Sequence, residues 1–212
     1  MLIVHHLGIS QSERIVWLCE ELGIPYELKI YERDKATRMG PPEYKALHPL
    51  GTAPIITDGD IVLPESGAII EYIIGKYGNG RLAVGPGAPN FAEYLFWFHF
   101  ANGSMMPNQM GGMGARPAGA EESPRARMMR ERGERTWKLV EDRLGQSPYL
   151  AGPDFTAADI IMLFPLTTMR AFAPRDISAY PNIRAYLKRI GERPAYRRAM
   201  EKGDPQMAPM LS

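Results

Sequence analysis

Leu2-Ile3-Val4-His5-His6-Leu7-Gly8, then Ile9-Ser10-Gln11-Ser12-Glu13-Arg14-Ile15-Val16-Trp17-Leu18-Cys19-Glu20-Glu21-Leu22-Gly23, then Tyr26-Glu27-Leu28-Lys29-Ile30-Tyr31 follow one another with almost nothing between them. The first run is apolar and β-branched, stops at Gly8, and predicts a strand over residues 2–7. In the second, Ser10 and Glu13 have the spacing of a capping box, with Ser10 as N-cap. Ile15, Leu18, Cys19 and Leu22 share one helical face, and Gly23 with Pro25 ends the helix. The third run, residues 26–31, alternates polar and apolar as a strand does. Strand, helix and strand within about thirty residues predict a right-handed parallel crossover.

Outward from this unit, Gly40-Pro41-Pro42 interrupts a polar stretch and a short helical segment follows near Glu43–Leu47. Two β runs, Ala53–Thr57 and Ile61–Leu63, flank Asp58-Gly59, a hairpin signal. A helix over Ser66–Lys76 turns Ile69, Ile70, Ile73 and Ile74 inward. Gly78-Asn79-Gly80 and Gly85-Pro86-Gly87-Ala88-Pro89 bracket a linker, after which strand signals cease. Helices are expected at about 90–105, 123–145, 156–171, 180–191 and 194–201, with Met105–Gly119 a loop or broken helix. The division is an α/β domain at 1–79, a linker at 80–89 and an all-α domain at 90–212.

Composition narrows the function. The 212 residues are 45% hydrophobic and carry 25 basic against 24 acidic side chains, a net charge of +1. A near-neutral chain lacks the basic face that nucleic-acid binding requires. No run reaches the ~18 apolar residues of a membrane-spanning helix, and Met1-Leu-Ile-Val-His-His has no basic leader. The one cysteine, Cys19, allows neither an internal disulfide nor a structural metal cluster. The expectation is a soluble cytoplasmic protein without a metal.

Three local motifs carry chemistry. Pro54 follows a turn and leads into a buried strand; a cis bond after Ala53 would turn the Ala53 amide and carbonyl toward an extended peptide, whereas a trans proline at a strand start is the plainer alternative. Pro64-Glu65-Ser66-Gly67-Ala68-Ile69 lies where a strand meets a helix start. Its amides and the Ser66 hydroxyl make an anion cradle, and the adjacent Glu65 suits an ammonium, so an α-amino acid terminus would fit; an ordinary serine cap is the alternative. Thr156-Ala157-Ala158-Asp159 is a capping box ahead of an apolar helix, with Phe155 placed as its staple, and is structural under every reading.

In this order the pieces resemble the cytosolic glutathione transferases, most closely their serine-type, theta-like or related bacterial members. The resemblance rests on Ser10-Gln11-Ser12-Glu13-Arg14, His48-Pro49-Leu50-Gly51-Thr52-Ala53-Pro54, Glu65-Ser66-Gly67-Ala68-Ile69 and Phe155-Thr156-Ala157-Ala158-Asp159, four segments in register over nearly the whole chain. It implies a thioredoxin-like amino-terminal domain, an all-helical carboxy-terminal domain and glutathione as co-substrate. It favours the cis bond at Pro54, with the Ala53 backbone pairing with the cysteinyl part of glutathione. Glu65 and Ser66 would take its γ-glutamyl end. Thr52 stands where many relatives have lysine, so one contact to the glycine carboxylate is missing or replaced.

The resemblance also makes Ser10, four residues before Arg14, the activating hydroxyl. A free cysteinyl thiol has a pKa of ~8.5, and lowering it by about two pKa units requires ~2.7 kcal/mol. One charge-assisted hydrogen bond supplies ~1.5–3 kcal/mol, and the helix N-terminus adds to it. Ser12 is the rival donor. Cys19, on the apolar stripe, reads as a packed hydrophobe rather than a nucleophile. His5 and His6 alternate in a strand, so at most one faces a cleft, and neither has a visible partner that would make it a base. A small hydrophobic electrophile is expected near Ala101, Asn102, Met105 and Met106, with parts of the 107–119 loop, although that loop also reads as a plain surface segment. A detoxifying homodimer is implied. Peroxide reduction, isomerisation or a binding protein without turnover are the other uses of the same fold.

Overall fold

The apolar run at the amino end forms β1 (Leu2–Leu7), and its amphipathic successor forms α1 (Glu13–Leu22). They are followed by β2 (Glu27–Tyr31), α2 (Pro42–Lys45), β3 (Ile55–Asp58), β4 (Ile61–Pro64) and α3 (Ser66–Lys76). The computed structural model describes residues 1–110 and 123–212. The four strands form one sheet in the order β2-β1-β3-β4. β1 and β2 run parallel, with Val4 opposite Leu28, as the helical crossover requires. β3 is antiparallel to β1, with Val4 opposite Ile56, and β4 is antiparallel to β3.

Gly23 closes α1 at φ 62°, a left-handed conformation that glycine adopts without steric cost. The β3–β4 turn has only Gly59 and Asp60 between the paired residues Asp58 and Ile61, and Gly59 has φ 61°. Asp58 then accepts from Tyr72 Oη (2.8 Å), Lys76 Nζ (2.7 Å) and Tyr77 Oη (2.6 Å), which ties the hairpin to α3. The Lys76 and Tyr77 hydrogen bonds hold its carboxyl well below the usual carboxylate range.

Ile15, Leu18 and Cys19 of α1 and Ile69, Ile70 and Ile73 of α3 are fully buried, as their helical spacing predicts. Burial pushes the Cys19 thiol far above its ordinary range. The native protein is therefore expected to resist a chromogenic disulfide reagent and to titrate one thiol once unfolded. Prompt reaction of the native chain would contradict this packing.

After α3 come α4 (Phe91–Phe100), a π-helical turn (Ala101–Met105), α5 (Met106–Met110), α6 (Pro124–Gln146), α7 (Ala157–Leu166), a 3-10 turn (Thr168–Ala171), α8 (Pro181–Gly191) and α9 (Pro194–Gly203). The segment expected to be a loop or broken helix from Met105 is helical as far as Met110; its remainder, to Gly119, includes residues outside those described. Among the described residues no helix is long and apolar enough to cross a membrane.

By contacts the chain divides into two compact units: residues 1–83 with 189–210, and 84–188 with 211–212. The sequence reading instead put 90–212 in one helical domain. The difference is α9, whose Ala195, Tyr196, Ala199 and Met200 are buried within the first unit. Tyr196 meets Trp17 edge to face at 5.2 Å. Arg193 forks onto Glu21 at 2.7 and 2.8 Å, while Arg198 and Lys202 both reach Glu20. In the second unit the expected capping box is present: Thr156 Oγ1 accepts from the Ala158 amide, and Asp159 accepts from the Thr156 amide at 2.9 Å.

Candidate active site

The turn between β1 and α1 is built on backbone strain. Ile9, a β-branched residue, has φ 52°, and its amide donates to Asp204 Oδ1 at 2.8 Å. Arg33, just after β2, donates Nε to the Gly8 carbonyl (2.8 Å) and Nη2 to the Ile9 carbonyl (3.0 Å). A strand neighbour and the end of α9 thus fix the turn from two sides.

This arrangement corrects the expected cap. The helix begins at Glu13, not just after Ser10, and Ser12 takes the preceding position without capping through its side chain. Ser10 accepts the Glu13 amide through its carbonyl (3.1 Å), while its Oγ accepts from the Ser12 amide (3.2 Å). Ser12 Oγ instead accepts from the Leu7 amide at 3.2 Å and lies 2.9 Å from His6 Nδ1 and 2.7 Å from Ser10 Oγ. Ser12 is fully enclosed, whereas Ser10 keeps 5% of its surface. The two rival hydroxyls touch, and Ser10 is the outer one.

Both histidines have partners that sequence spacing does not reveal. His5 lies 3.0 Å from Tyr31 Oη and 3.1 Å from Thr57 Oγ1, with burial and then Lys29 lowering its pKa, so it is a neutral bridge across the sheet. His6, fully buried on the other face, has Nε2 3.0 Å from Asp204 Oδ2.

At the second turn, Glu65 occupies the cap position of α3 at φ 71° and is exposed, while Ser66 is the first helical residue and buried. The plain reading of Ser66 as a cap is thereby displaced. Arg14 Nη1 donates both to Ser66 Oγ (3.1 Å) and to Gln11 Oε1 (2.7 Å), joining the Ser10 turn to the Glu65–Ser66 turn. In the sequence Arg14 serves only as a spacing mark. It is in fact fully buried, and loss of solvation lowers its guanidinium to about 9, with Glu13 opposing that loss.

The Ala53–Pro54 bond is cis. Ala53 lies outside the ladder of β3, which starts at Ile55, and packs on the cluster of Leu7, Tyr31, Tyr44 and Ile55. Thr52 is exposed and Pro54 buried. In the second unit Ala101 and Met105 are fully buried, Met106 packs with Phe164 and Met169, and Asn102 is half-buried. The structure therefore brings Ser10, Ser12, Arg14 and Ser66 into one hydrogen-bonded region. Among the described residues no cluster of His, Cys, Asp or Glu is able to hold a metal ion.

The family model for the glutathione S-transferase N-terminal domain matches residues 10–74, and that for the C-terminal domain matches residues 117–189. Glutathione S-transferase 3 of Schizosaccharomyces pombe is 32% identical over 95% of this chain and 88% of its own length. Glutathione S-transferase 1 of Saccharomyces cerevisiae is 30% identical over 94% of each chain. A crystal structure of a glutathione S-transferase from Actinobacillus pleuropneumoniae superposes with a TM-score of 0.86 at 33% identity, covering 100% of this chain and 99% of that one. A thioredoxin-like sheet unit with a cis-proline, followed by a helical unit and matched along its length by these relatives, makes this chain a member of the glutathione S-transferase family and a glutathione transferase.

Proposed function

We propose that the chain binds glutathione against Ala53, Pro54 and the Glu65–Ser66 turn, and that the Ser10 hydroxyl donates to its sulfur so that the thiolate attacks a small hydrophobic electrophile. The observation that carries this reading is the contrast between the two serines: Ser12 is enclosed and held by the Leu7 amide and His6, while Ser10 is the member with surface. A hydroxyl aimed at a thiolate stabilises the charge only if it reaches the sulfur, and the greater exposure of Ser10 supports it over Ser12 as that donor.

Arg14 occupies a lone pair of Ser66 Oγ and so orients that hydroxyl at the α3 N-terminus, where backbone amides favour an anion such as the γ-glutamyl carboxylate. Glu65, exposed beside it, suits the ammonium of the same group. Thr52 is exposed and lacks the charge to pair with the glycine carboxylate. The electrophile pocket belongs on the π-helical turn Ala101–Met105 and the following Met106, where Asn102 keeps surface and Ala101, Met105 and Met106 are buried. Such turns recur at functional sites because they re-aim side chains out of helical register.

Titration calorimetry tests the binding half of this reading. Wild-type protein is expected to bind glutathione below millimolar concentration, and Ser66→Ala to weaken it about 10- to 150-fold, the loss of one hydrogen bond to a charged group. No heat at millimolar glutathione would overturn it.

A cytoplasmic homodimer with a detoxifying role follows the same reading. Leu95 and Phe96 of α4 and Leu139 of α6 are exposed apolar side chains, with Phe96, Trp97, Leu139 and Arg143 lining a groove of about 480 Å³ that a second copy would cover. Light scattering is expected to give twice the chain mass.

A further inference from the structure

The two serines do not stop at each other. Ser10 Oγ is 2.7 Å from Ser12 Oγ, Ser12 Oγ is 2.9 Å from His6 Nδ1, and His6 Nε2 is 3.0 Å from Asp204 Oδ2. Ser12 and His6 are 0% exposed, Ser10 5% and Asp204 7%, so the two middle groups are sealed and only the two ends of the line keep any surface. The imidazole is also clamped, since a methyl group on Gly203 would lie 3.2 Å from His6 Nε2. We propose that this line is a proton relay in which His6, oriented by Asp204, takes the proton of glutathione through the hydroxyls of Ser12 and Ser10. The proposal deepens the reading of Ser10 as the thiolate donor and rests on it.

Donor and acceptor rules allow one consistent direction for the hydrogens along the line. The Asp204 carboxylate accepts at both oxygens, from the Ile9 amide and from His6, so Nε2 carries a hydrogen. Burial works against that charge, but the His6 hydrogen bond, the Ile9 amide and Arg33 together keep the carboxyl below its ordinary range. In the tautomer with its hydrogen on Nε2, His6 presents a bare Nδ1 and Ser12 donates to it at 2.9 Å, the Leu7 carbonyl at 3.3 Å being the longer alternative. Ser12 Oγ already accepts from the Leu7 amide, and its other lone pair accepts from Ser10. In this resting state the Ser10 hydrogen points inward, and Ser10 offers an incoming thiol only a lone pair.

Ionisation of the thiol reverses the line. The S–H bond breaks and its proton passes to Ser10 Oγ; the Ser10 proton passes to Ser12 Oγ, and the Ser12 proton forms the N–H bond at His6 Nδ1. Charge balances, because the thiolate gained is matched by an imidazolium, and Asp204 stays ionised throughout. Ser10 now donates to the sulfur, so the hydrogen bond that stabilises the thiolate is made by the event that creates it. Once product has left, the proton returns along the same line to water. An ordinary imidazole is ~100-fold too weak a base for an ordinary thiol. The hydrogen bond that Ser10 makes to the thiolate favours the ionised sulfur and narrows that gap. Asp204, from the end of α9, is hydrogen-bonded to His6, and Arg33, from the segment after β2, acts in turn on Asp204. Ser12, His6 and Asp204 act on the sulfur only through Ser10, as positioning residues.

The test follows bound thiolate by its ultraviolet absorbance, and kcat/KM with an activated aryl halide, across pH for wild type, Ser10→Ala, Ser12→Ala, Ser12→Thr and Asp204→Asn. Asp204→Asn retains an oxygen for the Ile9 amide but presents an amide hydrogen to Nε2, forcing the wrong imidazole tautomer. It is expected to raise the ionisation midpoint of bound glutathione by about one pH unit, with kcat/KM falling ~10-fold at pH 6.5 and recovering near pH 9 while KM for glutathione stays within about twofold. Ser12→Ala breaks the relay but spares the His6–Asp204 pair, so it shows the same upward shift even if Asp204→Asn does not fold, and Ser12→Thr restores the wild-type profile. A folded Ser12→Ala or Asp204→Asn with the wild-type pH profile overturns the relay. If Ser10→Ala alone removes the thiolate, only the relay fails; if Ser10→Ala also leaves it intact, the reading of Ser10 fails with it.

Discussion

Ser10→Ala is expected to lower kcat/KM for aryl halide conjugation about 10- to 150-fold near neutral pH, the range that ~1.5–3 kcal/mol of charge-assisted hydrogen bonding corresponds to. The Michaelis constant for glutathione should move by less than about threefold, because the contacts assigned to Ala53, Glu65 and Ser66 are untouched. The turn should survive the change. Ser10 contributes its carbonyl to the Glu13 amide, which alanine preserves, and gives up only the Oγ contacts to Ser12. Steady-state kinetics beside the thermal midpoint of the variant separate loss of chemistry from loss of fold. An unchanged kcat/KM would remove Ser10 from the mechanism.

Asp159→Ala should be the most destabilising change in the second unit, by roughly 3–4 kcal/mol. One fully buried carboxyl accepts the Leu150 amide at 3.0 Å, the Thr156 amide at 2.9 Å and the Tyr186 hydroxyl at 3.2 Å, so it ties the start of α7 to the preceding loop and to α8. Alanine leaves the Leu150 and Thr156 amides without that acceptor inside the protein. For a chain of this size the thermal midpoint should fall by about 10 °C, measurable by calorimetry. The same group gives a pH signature. Burial pushes its carboxyl up to about 6 from 3.8, against the hydrogen bonds that favour the anion. A folded-state pKa above the unfolded value means that the stabilisation is fully present below about pH 4 and lost as pH rises through 6. Denaturant midpoints followed over pH 4–7 should show that decline in the wild type, and Asp159→Asn should flatten it.

What sequence reading recovered is whatever short-range pattern controls. The stripe Ile15, Leu18, Cys19, Leu22 and the stop at Gly23 define α1 through contacts within a few residues, and the two-residue turn after Asp58 is set by glycine alone. Thr156 and Asp159 form their capping box although the Leu150 amide and the Tyr186 hydroxyl also reach the Asp159 carboxyl, because those two use its other oxygen. Ser10 and Glu13 have the same spacing and do not, because Ser12 is drawn onto His6 and the Leu7 amide and the turn winds differently. His6 and Asp204 stand 198 residues apart, and Glu20 and Glu21 find Arg198 and Arg193 across a comparable interval. No periodicity links such positions. The same distance explains why α9 reads as part of the helical domain and packs instead on α1. Arg14, in plain view as a basic residue, gives no sign in the sequence that it is buried and bridges two turns.

The seat of Ile9 on Asp204 also bears on how the enzyme comes into being. The ribosome makes the β1–α1 turn almost two hundred residues before the carboxylate that holds it. During that interval the nascent chain carries the serines without the clasp that keeps Ile9 in its strained conformation. Because Asp204 follows α9, a chain broken off before that residue carries the motif without the clasp on its turn.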